Sequence, residues 1–226
     1  MSDTYEWAFL REWKAISDEA QAMMKENEEK HGVALPFAIG DYSLEKMRER
    51  EQERAERILR AALHEFAHSS AMPAKAFHRL TGLTGRIYGP MCLYMLDHNN
   101  ALAPEAYADV VSYTWGLAEF PGLAMSRPDW RRLWAKSGFV IDGKPADRPA
   151  EPMLLWRGAT RGHKGGMAWT DDRKRAEWFV QARFRKGHLW EALVPPERLL
   201  AFIHNEGRGE SEWIVDTRGV TILQVE

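Results

Sequence analysis

The sequence contains a single cysteine, Cys92, so it cannot form a disulfide within the chain. Disulfides are common in secreted domains and rare in reducing compartments, so we expect a cytoplasmic protein. The first residues also lack the basic and apolar segments of a signal peptide, which leads to the same expectation. Because 226 residues can bury a large core, the fold needs neither disulfides nor a structural metal.

Long apolar runs and an excess of positive charge are absent as well. The longest uncharged run, residues 87–96, is about half of the roughly 20 residues that a membrane-spanning helix needs. The 31 Lys and Arg residues are balanced by 33 Asp and Glu residues, which gives a net charge of −2. The sequence therefore predicts no membrane partner and no nonspecific binding to nucleic acid, which depends on a basic surface.

The spacing of apolar residues changes along the chain. Up to about residue 140 the spacing is helical, and it predicts helices at 5–30, 44–71, 73–81, 84–99 and 104–119. Five prolines between residues 121 and 152 then mark a boundary. From residue 153 onward the period is two, which predicts short strands at 153–159, 166–170, 188–194, 201–204, 211–217 and 220–225, with one helix at 171–184. These elements predict an α+β fold, with a helical N-terminal region (1–145) and an antiparallel β-rich region (146–226).

One candidate site lies on the predicted helix 44–71. His64-Glu65-Phe66-Ala67-His68 matches H-E-x-x-H, in which His64 and His68 would bind zinc and Glu65 would act as general base toward a zinc-bound water. A catalytic zinc needs a third protein ligand, and no spacing selects one from His78, Glu105 and Glu119. The alternative interpretation is two partly exposed histidines on a helix that packs through its apolar residues.

A second candidate site is spread over the predicted C-terminal strands. Strand 153–159 carries Arg157 and Gly158 near its end, and this pair suits an anionic ligand brought close to the backbone. Farther along, Glu210 and Glu212 share one face of a strand because strand side chains alternate. Two adjacent carboxylates repel each other unless a cation or a cationic transition state offsets their charge.

The motifs of this second site follow one another in a fixed order. They are Trp156-Arg157-Gly158, Ala168-Trp169-Thr170, Ala176-Glu177-Trp178-Phe179, Val194-Pro195-Pro196-Glu197 and Gly209-Glu210-Ser211-Glu212. This order resembles the R-S-E pattern of the mono-ADP-ribosyltransferases, in particular their bacterial and bacteriophage members, over about residues 153–226. The resemblance implies a split antiparallel β-sheet core that clamps NAD between two small sheets, preceded by a helical lobe.

The resemblance also implies roles for individual residues. Glu212 matches the catalytic glutamate, which would hydrogen-bond to the nicotinamide ribose and stabilise the oxocarbenium-like cation. Glu210 would orient the acceptor and help to deprotonate it, and a glutamate at this position goes with arginine as the target. Arg157 would pair with the NAD phosphates, and the backbone of Gly158 would hold the nicotinamide carboxamide. The implied partner is a macromolecular acceptor, with protein favoured over nucleic acid, and no metal is expected.

Other positions in the pattern leave alternatives open. The family usually carries a serine where this chain has Ala168, so Thr170 is the hydroxyl left to hold the catalytic glutamate and to contact NAD. Trp178 or Phe179 would supply an aromatic wall against nicotinamide, or else would be core residues of an amphipathic helix. Residues 205–209 would form the target-recognition loop.

Three functions are therefore considered for the chain. The first is an ADP-ribosyltransferase that uses NAD, with an NAD glycohydrolase as its near neighbour when water replaces the acceptor. The second is a zinc-dependent peptidase built on His64, Glu65 and His68. The third is a catalytically inactive interaction protein, motivated by Ala168. By analogy with the family, the first function suits a phage or toxin-type effector.

Overall fold

The computed structural model describes residues 7–37, 43–67, 70–182, 187–205 and 210–225. The chain forms two compact units, Met1–Ala103 and Pro104–Glu226. The first unit is helical and the second combines helices with two sheets, so the predicted α+β class is confirmed. The boundary predicted at residues 145 and 146 lies inside the second unit.

Four α-helices make up the described part of the first unit. They are α1 (Ala8–His31), α2 (Leu44–Phe66), α3 (Ala74–Thr84) and α4 (Gly89–His98). The side chain of Ser43 accepts a hydrogen bond from the backbone N–H of Lys46 and so begins α2. Gly32 ends α1 in the left-handed conformation (φ 70°), which glycine adopts without steric cost. The four helices enclose a core that includes Phe9, Ile58, Phe77, Leu80 and Leu93.

An ion-pair cluster links α1 to α2. The Arg57 guanidinium donates to Glu12 from Nε (2.9 Å) and to Glu19 from Nη1 (2.9 Å). The hydrogen bond with Glu19 is the main cause that raises the pKa of Arg57 above its usual value. The Glu- and Arg-rich spacing of residues 45–60 predicts ion pairs within one solvated helix face, whereas Arg57 pairs with a neighbouring helix instead.

Several helix boundaries in the first unit differ from the prediction, and α2 ends at Phe66, where residue 71 was predicted as the last helical residue. The helix predicted over 84–99 begins at Gly89, after a single 3₁₀ turn at Arg86–Tyr88. Pro90 lies in the first turn of α4, where its missing N–H leaves no helical hydrogen bond unmade. Helix α3 continues to Thr84, where residue 81 was predicted as the last helical residue.

The second unit begins with helices and continues with strands. Its elements are α5 (Tyr107–Leu117), α6 (Pro121–Ala124), α7 (Arg127–Ser137), β1 (Val140–Ile141), β2 (Lys144–Pro145), β3 (Met153–Ala159), β4 (Ala168–Trp169), α8 (Arg173–Ala182), β5 (His188–Val194), β6 (Leu199–Asn205), β7 (Glu210–Val215) and β8 (Leu223–Gln224). One sheet has the strand order β2-β1-β6-β7-β4, and the other has the order β3-β5-β8.

The segment predicted to be a boundary contains regular structure. Helix α7 is capped by Ser126, whose side chain accepts a hydrogen bond from the N–H of Asp129. Strands β1 and β2 form a hairpin around Asp142 and Gly143, both with positive φ (50° and 75°). Strand β1, which lies before the region predicted to form strands, pairs with β6 in parallel, whereas the strands from residue 153 onward pair with one another in antiparallel orientation.

The two sheets pack their apolar faces against each other. Tryptophans from three strands meet in this core, together with aliphatic side chains: Leu155, Trp169, Trp190, Val194, Leu199, Trp213 and Val215. A backbone bridge joins Trp156, in the middle of β3, to Thr170, which directly follows β4, with N to O distances of 2.8 and 2.9 Å. Because strand side chains alternate, Glu212 and Ile214 lie on the face of β7 opposite this core.

A buried carboxylate follows β7, and we expect it to contribute to acid stability. Asp216 is 5% exposed and accepts hydrogen bonds from Arg198 (3.2 Å) and Arg218 (2.7 Å). Burial alone would raise the pKa of Asp216, but the hydrogen bonds and charge of Arg218 lower it below its usual value. The stabilisation is therefore complete above the unfolded-state pKa of about 3.9 and is lost as the pH falls through the folded-state pKa.

We expect Asp216→Asn to lower the free energy of unfolding at pH 7 by about 1.5–3 kcal/mol, the usual value for hydrogen bonds to charged groups. Urea unfolding at pH 7 and pH 3 measures the effect, and the difference between variant and wild type should shrink at pH 3. If variant and wild type differ equally in free energy of unfolding at both pH values, the charge of the Asp216 carboxylate is not the cause of the stabilisation. Asp147→Asn, at an exposed position in the same unit, serves as the control.

Candidate functional site

Arg157 lies near the end of β3, and its guanidinium turns toward the segment that connects β3 to β4. Its Nε donates to the carbonyl of His163 (3.2 Å), and its Nη1 donates to the carbonyl of Ala168. Burial lowers the pKa of Arg157 to about 10, the charge of Glu212 opposes this shift, and the charge of Arg127 adds to it. Arg157 therefore remains a cation at neutral pH, and its guanidinium is fixed by the backbone.

A second arginine approaches the same segment from α7. Arg127 donates from Nη1 to the carbonyl of Gly165 (3.0 Å), and Thr217 donates to the same oxygen (2.9 Å). Gly166 packs directly on the Arg157 guanidinium. A Cβ added at this position would lie 3.0 Å from Nε of Arg157 and closer still to Cζ and Nη2. The segment thus lies between two guanidinium groups that repel each other, an arrangement that a bound anion would stabilise.

Glu212 occupies the middle of β7 and is held by a tryptophan. The indole Nε1–H of Trp115, on α5, donates to Oε2 of Glu212 (2.9 Å). Trp115 is itself packed edge-to-face against Trp130 and Trp134 of α7, with ring centroids 4.9 and 6.1 Å apart. Trp115 is 4% exposed, so an aromatic cluster fixes the donor and with it the orientation of the Glu212 carboxylate.

Thr170 lies at the junction of the two sheets. Strand β4 pairs with β7 so that Trp169 faces Trp213, and one further step of this register places Thr170 beside Glu212. The Thr170 hydroxyl accepts a hydrogen bond from the N–H of Asp172 (3.1 Å) at the start of α8. The predicted contact of Thr170 with the catalytic glutamate and with NAD stays a prediction. Ala168, the departure from the family pattern, takes part through its backbone carbonyl, which any residue at that position would supply.

Helix α8 lies against β3 at Gly158. A Cβ at this position would overlap the carbonyl oxygen of Ala176 and lie 2.9 Å from the backbone N of Val180. Of the two predicted wall residues, Phe179 is half-buried against Gly158, and Trp178 is 49% exposed. Trp178 is therefore not a core residue, and its ring lies 4.7 Å below the guanidinium carbon of Arg175.

The structure brings Arg157, Thr170 and Glu212 together, along with Gly158, Trp178 and Phe179 on the adjoining strand and helix. Glu210 begins β7 and pairs with Asn205, but its side chain lies outside the described part of the chain. Residues 206–209, most of the predicted recognition loop, also lie outside the described residues. The roles predicted for Glu210 and for this loop stay predictions.

The H-E-x-x-H sequence lies at the end of α2 in the first unit. His64 is exposed, and Oε2 of Glu65 accepts a hydrogen bond from the N–H of Ala8 (2.7 Å), one of the unpaired amides at the start of α1. His68 lies outside the described residues, and His78 lies on α3. Among the side chains that the structure describes, no three His, Cys, Asp or Glu residues are grouped as a metal site requires.

Sequence reasoning missed four residues near this site. Trp115 and Arg127 contact Glu212 and the β3–β4 segment, and Asp142 forms a hydrogen-bonded pair with His204. Local signals existed for two of them, because Asp-Gly at 142–143 is typical of a two-residue hairpin and Ser-Arg-Pro-Asp at 126–129 is typical of a helix start. No local signal marks Trp115 or His204, whose partners are distant along the chain.

No family model, curated protein or solved structure matches this chain. Within the described ranges, no helix combines the length and apolar character needed to cross a bilayer.

Proposed function

We propose that the chain is a mono-ADP-ribosyltransferase that cleaves NAD and transfers ADP-ribose to a macromolecular acceptor, with arginine of a protein favoured. One observation carries the proposal: Arg157 of the three-stranded sheet donates to the carbonyl of Ala168 in β4, and β4 pairs with β7, the strand that carries Glu212, so the two charged groups are close enough to interact. An anion-binding cation beside an oriented carboxylate is what cleavage of a glycosidic bond in a diphosphate-containing substrate requires.

In this proposal the two arginines and the glutamate have different roles. Arg157 and Arg127 bind the pyrophosphate of NAD, which relieves the repulsion between the two guanidinium groups. Glu212, oriented by Trp115, stabilises the positive charge that develops on the ribose as the bond to nicotinamide lengthens. Nicotinamide leaves with the bonding electron pair, and the ribose carbon accepts a nucleophile from the acceptor. The exposed ring of Trp178 is available to border the nicotinamide.

The physiological setting is proposed from the resemblance alone. A phage or toxin-type effector that modifies a target in the cytoplasm suits a chain of this type.

Replacing Arg157 tests the phosphate-binding part of the proposal. We expect Arg157→Lys to raise the KM for NAD about tenfold, because lysine keeps the charge and loses the planar set of donors that binds a diphosphate. The measurement is release of nicotinamide by purified protein at varied NAD concentrations. Arg161→Lys, at an exposed position in the same segment, should leave the KM unchanged.

The wild-type protein is assayed first, to test whether it cleaves NAD and transfers ADP-ribose. It is incubated with NAD labelled in the adenylate part and with an arginine-containing peptide. Nicotinamide release together with label on the peptide supports the transferase. Folded wild-type protein that consumes no NAD contradicts the proposal, as does an equal KM in Arg157→Lys and Arg161→Lys.

A further inference from the structure

The Glu212 carboxylate receives a hydrogen bond from a helix outside its own sheet. Trp115, on α5, donates its indole Nε1–H to Oε2 of Glu212 over a distance of 2.9 Å, although the two residues are 97 positions apart in the sequence. Trp115 is buried, so water competes little for this N–H. A hydrogen bond to a charged group in such surroundings is roughly twice as strong as one between neutral groups.

The donor belongs to a cluster of three indoles whose N–H groups have different surroundings. Nε1 of Trp130 donates to the carbonyl of Pro121 (2.8 Å), and Nε1 of Trp134 is buried with no hydrogen-bond partner among the described residues. Trp115 packs edge-to-face against both rings, and its own N–H is the one directed to Glu212. Loss of the hydrogen bond to Glu212 can therefore be separated experimentally from a change in the packing of the cluster.

The strand beside Glu212 carries an alanine at a position from which a hydroxyl could reach the carboxylate. Ala168 of β4 is directly opposite Ile214 of β7, so its side chain lies on the face of the sheet that also carries Glu212. Ala168 and Glu212 are diagonal neighbours, a separation of about 7–8 Å that a long side chain can bridge. The methyl group of Ala168 cannot donate a hydrogen bond. The Thr170 hydroxyl, farther along the chain, accepts a hydrogen bond from the N–H of Asp172 (3.1 Å).

We propose that Trp115 is a positioning residue for NAD cleavage, and that its indole N–H replaces the hydroxyl that position 168 lacks. The inference rests on the proposed function and deepens it. Trp115 acts through Glu212, because it holds the carboxylate in the orientation that stabilises the positive charge developing on the ribose. The active site then includes α5 and the α7 tryptophans, which belong to the region predicted as a separate helical lobe, and Ala168 is no longer a reason to expect an inactive protein.

Trp115→Phe removes the donor and keeps an aromatic ring in the cluster. We expect kcat for nicotinamide release to fall about tenfold, the usual effect of losing one hydrogen bond to a charged group. The KM for NAD should change less than about twofold, because Arg157 and Arg127, which bind the diphosphate in the proposed function, are unchanged. Trp130→Phe is the matched control, because it removes an indole N–H from the same cluster but loses the hydrogen bond to Pro121. Its kcat should stay within about twofold of the wild type.

A second substitution tests whether a strand hydroxyl can do the work of the indole. Ala168→Ser adds a hydroxyl on the face of Glu212 and leaves in place the backbone carbonyl that binds Arg157. Combined with Trp115→Phe, it should recover most of the lost kcat, because the carboxylate again has a donor. A loss of activity caused by altered packing of the cluster would not respond to a hydroxyl on β4. If the double variant is no faster than Trp115→Phe alone, the inference is wrong.

The outcomes distinguish this inference from the proposed function. Rates are compared at a temperature at which circular dichroism shows every variant to be folded, and equal kcat values in Trp115→Phe and Trp130→Phe would overturn the inference alone. Thr170→Val is a test that does not depend on the stability of Trp115→Phe. A tenfold loss of kcat in Thr170→Val, at unchanged KM, would show that the strand hydroxyl holds Glu212 and would also overturn the inference. If the wild type releases no nicotinamide, the proposed function fails, and this inference fails with it.

Discussion

Glu212→Gln should lower the rate of NAD consumption by about 10²–10³-fold, the usual cost of removing one preorganised electrostatic group from a transition state. Glutamine has nearly the same shape as glutamate, and its carbonyl oxygen still accepts a hydrogen bond from Nε1 of Trp115. The variant therefore keeps the local geometry and loses the negative charge. The measurement is the initial rate of nicotinamide release at saturating NAD, with circular dichroism and melting temperature recorded for both proteins.

The matched control is Glu197→Gln, an exposed glutamate that precedes β6 in the same unit. Its NAD turnover should equal that of the wild type. A decrease below fivefold in Glu212→Gln would contradict a role for Glu212 in stabilising the ribosyl cation. Because Glu212 also raises the pKa of Arg157, the variant leaves Arg157 with a lower pKa, and the assay at pH 7 keeps both proteins with a charged guanidinium.

The strands of the second unit were well predicted where the sequence alternates without interruption. Strands β3 and β5 have the predicted bounds, 153–159 and 188–194, because each buries one face in the same core. Strand β4 has two residues where five were predicted, because Gly166 precedes it and packs on Arg157 rather than extending the ladder. Periodicity therefore located the sheets, and their ends depended on tertiary contacts.

The segment rich in proline, predicted to be a boundary from its composition, contains a helix and an edge strand because of where its prolines stand. Pro128 occupies the first turn of α7, where proline is compatible with a helix, and Pro145 lies in the edge strand β2, where a missing N–H breaks no pairing. The number of prolines in this segment suggests a linker. The residues next to each proline indicate instead a helix start and a sheet edge.

The site could be predicted in part for a similar reason. Arg157 and Glu212 belong to motifs whose order along the chain is recognisable. In the structure the two residues are close enough for their charges to interact. Trp115 and His204 form hydrogen bonds with partners that lie far away in the sequence. A tryptophan in a buried helix and a histidine at a strand end are ordinary residues for their positions. Only the fold shows which tryptophan of ten meets a glutamate.

Gly158→Ala is expected to destabilise the second unit by about 3 kcal/mol, at the upper end of the usual cost of overpacking. The added methyl group would overlap the carbonyl oxygen of Ala176 and approach the backbone of Val180, and neither backbone atom can move without shifting α8 from β3. For a chain of this size the melting temperature should fall by roughly 6–12 °C. Thermal unfolding followed by tryptophan fluorescence measures the change.

Gly162→Ala is the matched control, because a Cβ at Gly162 meets no atom within 4 Å. Its melting temperature should stay within about 2 °C of the wild type, as surface substitutions usually do. If Gly158→Ala is as stable as this control, α8 does not lie against β3 as described. The family resemblance also implies that the backbone of Gly158 holds the nicotinamide. A destabilised but folded Gly158→Ala protein should therefore also bind NAD more weakly than Gly162→Ala, since the shift of α8 displaces the backbone beside Arg157.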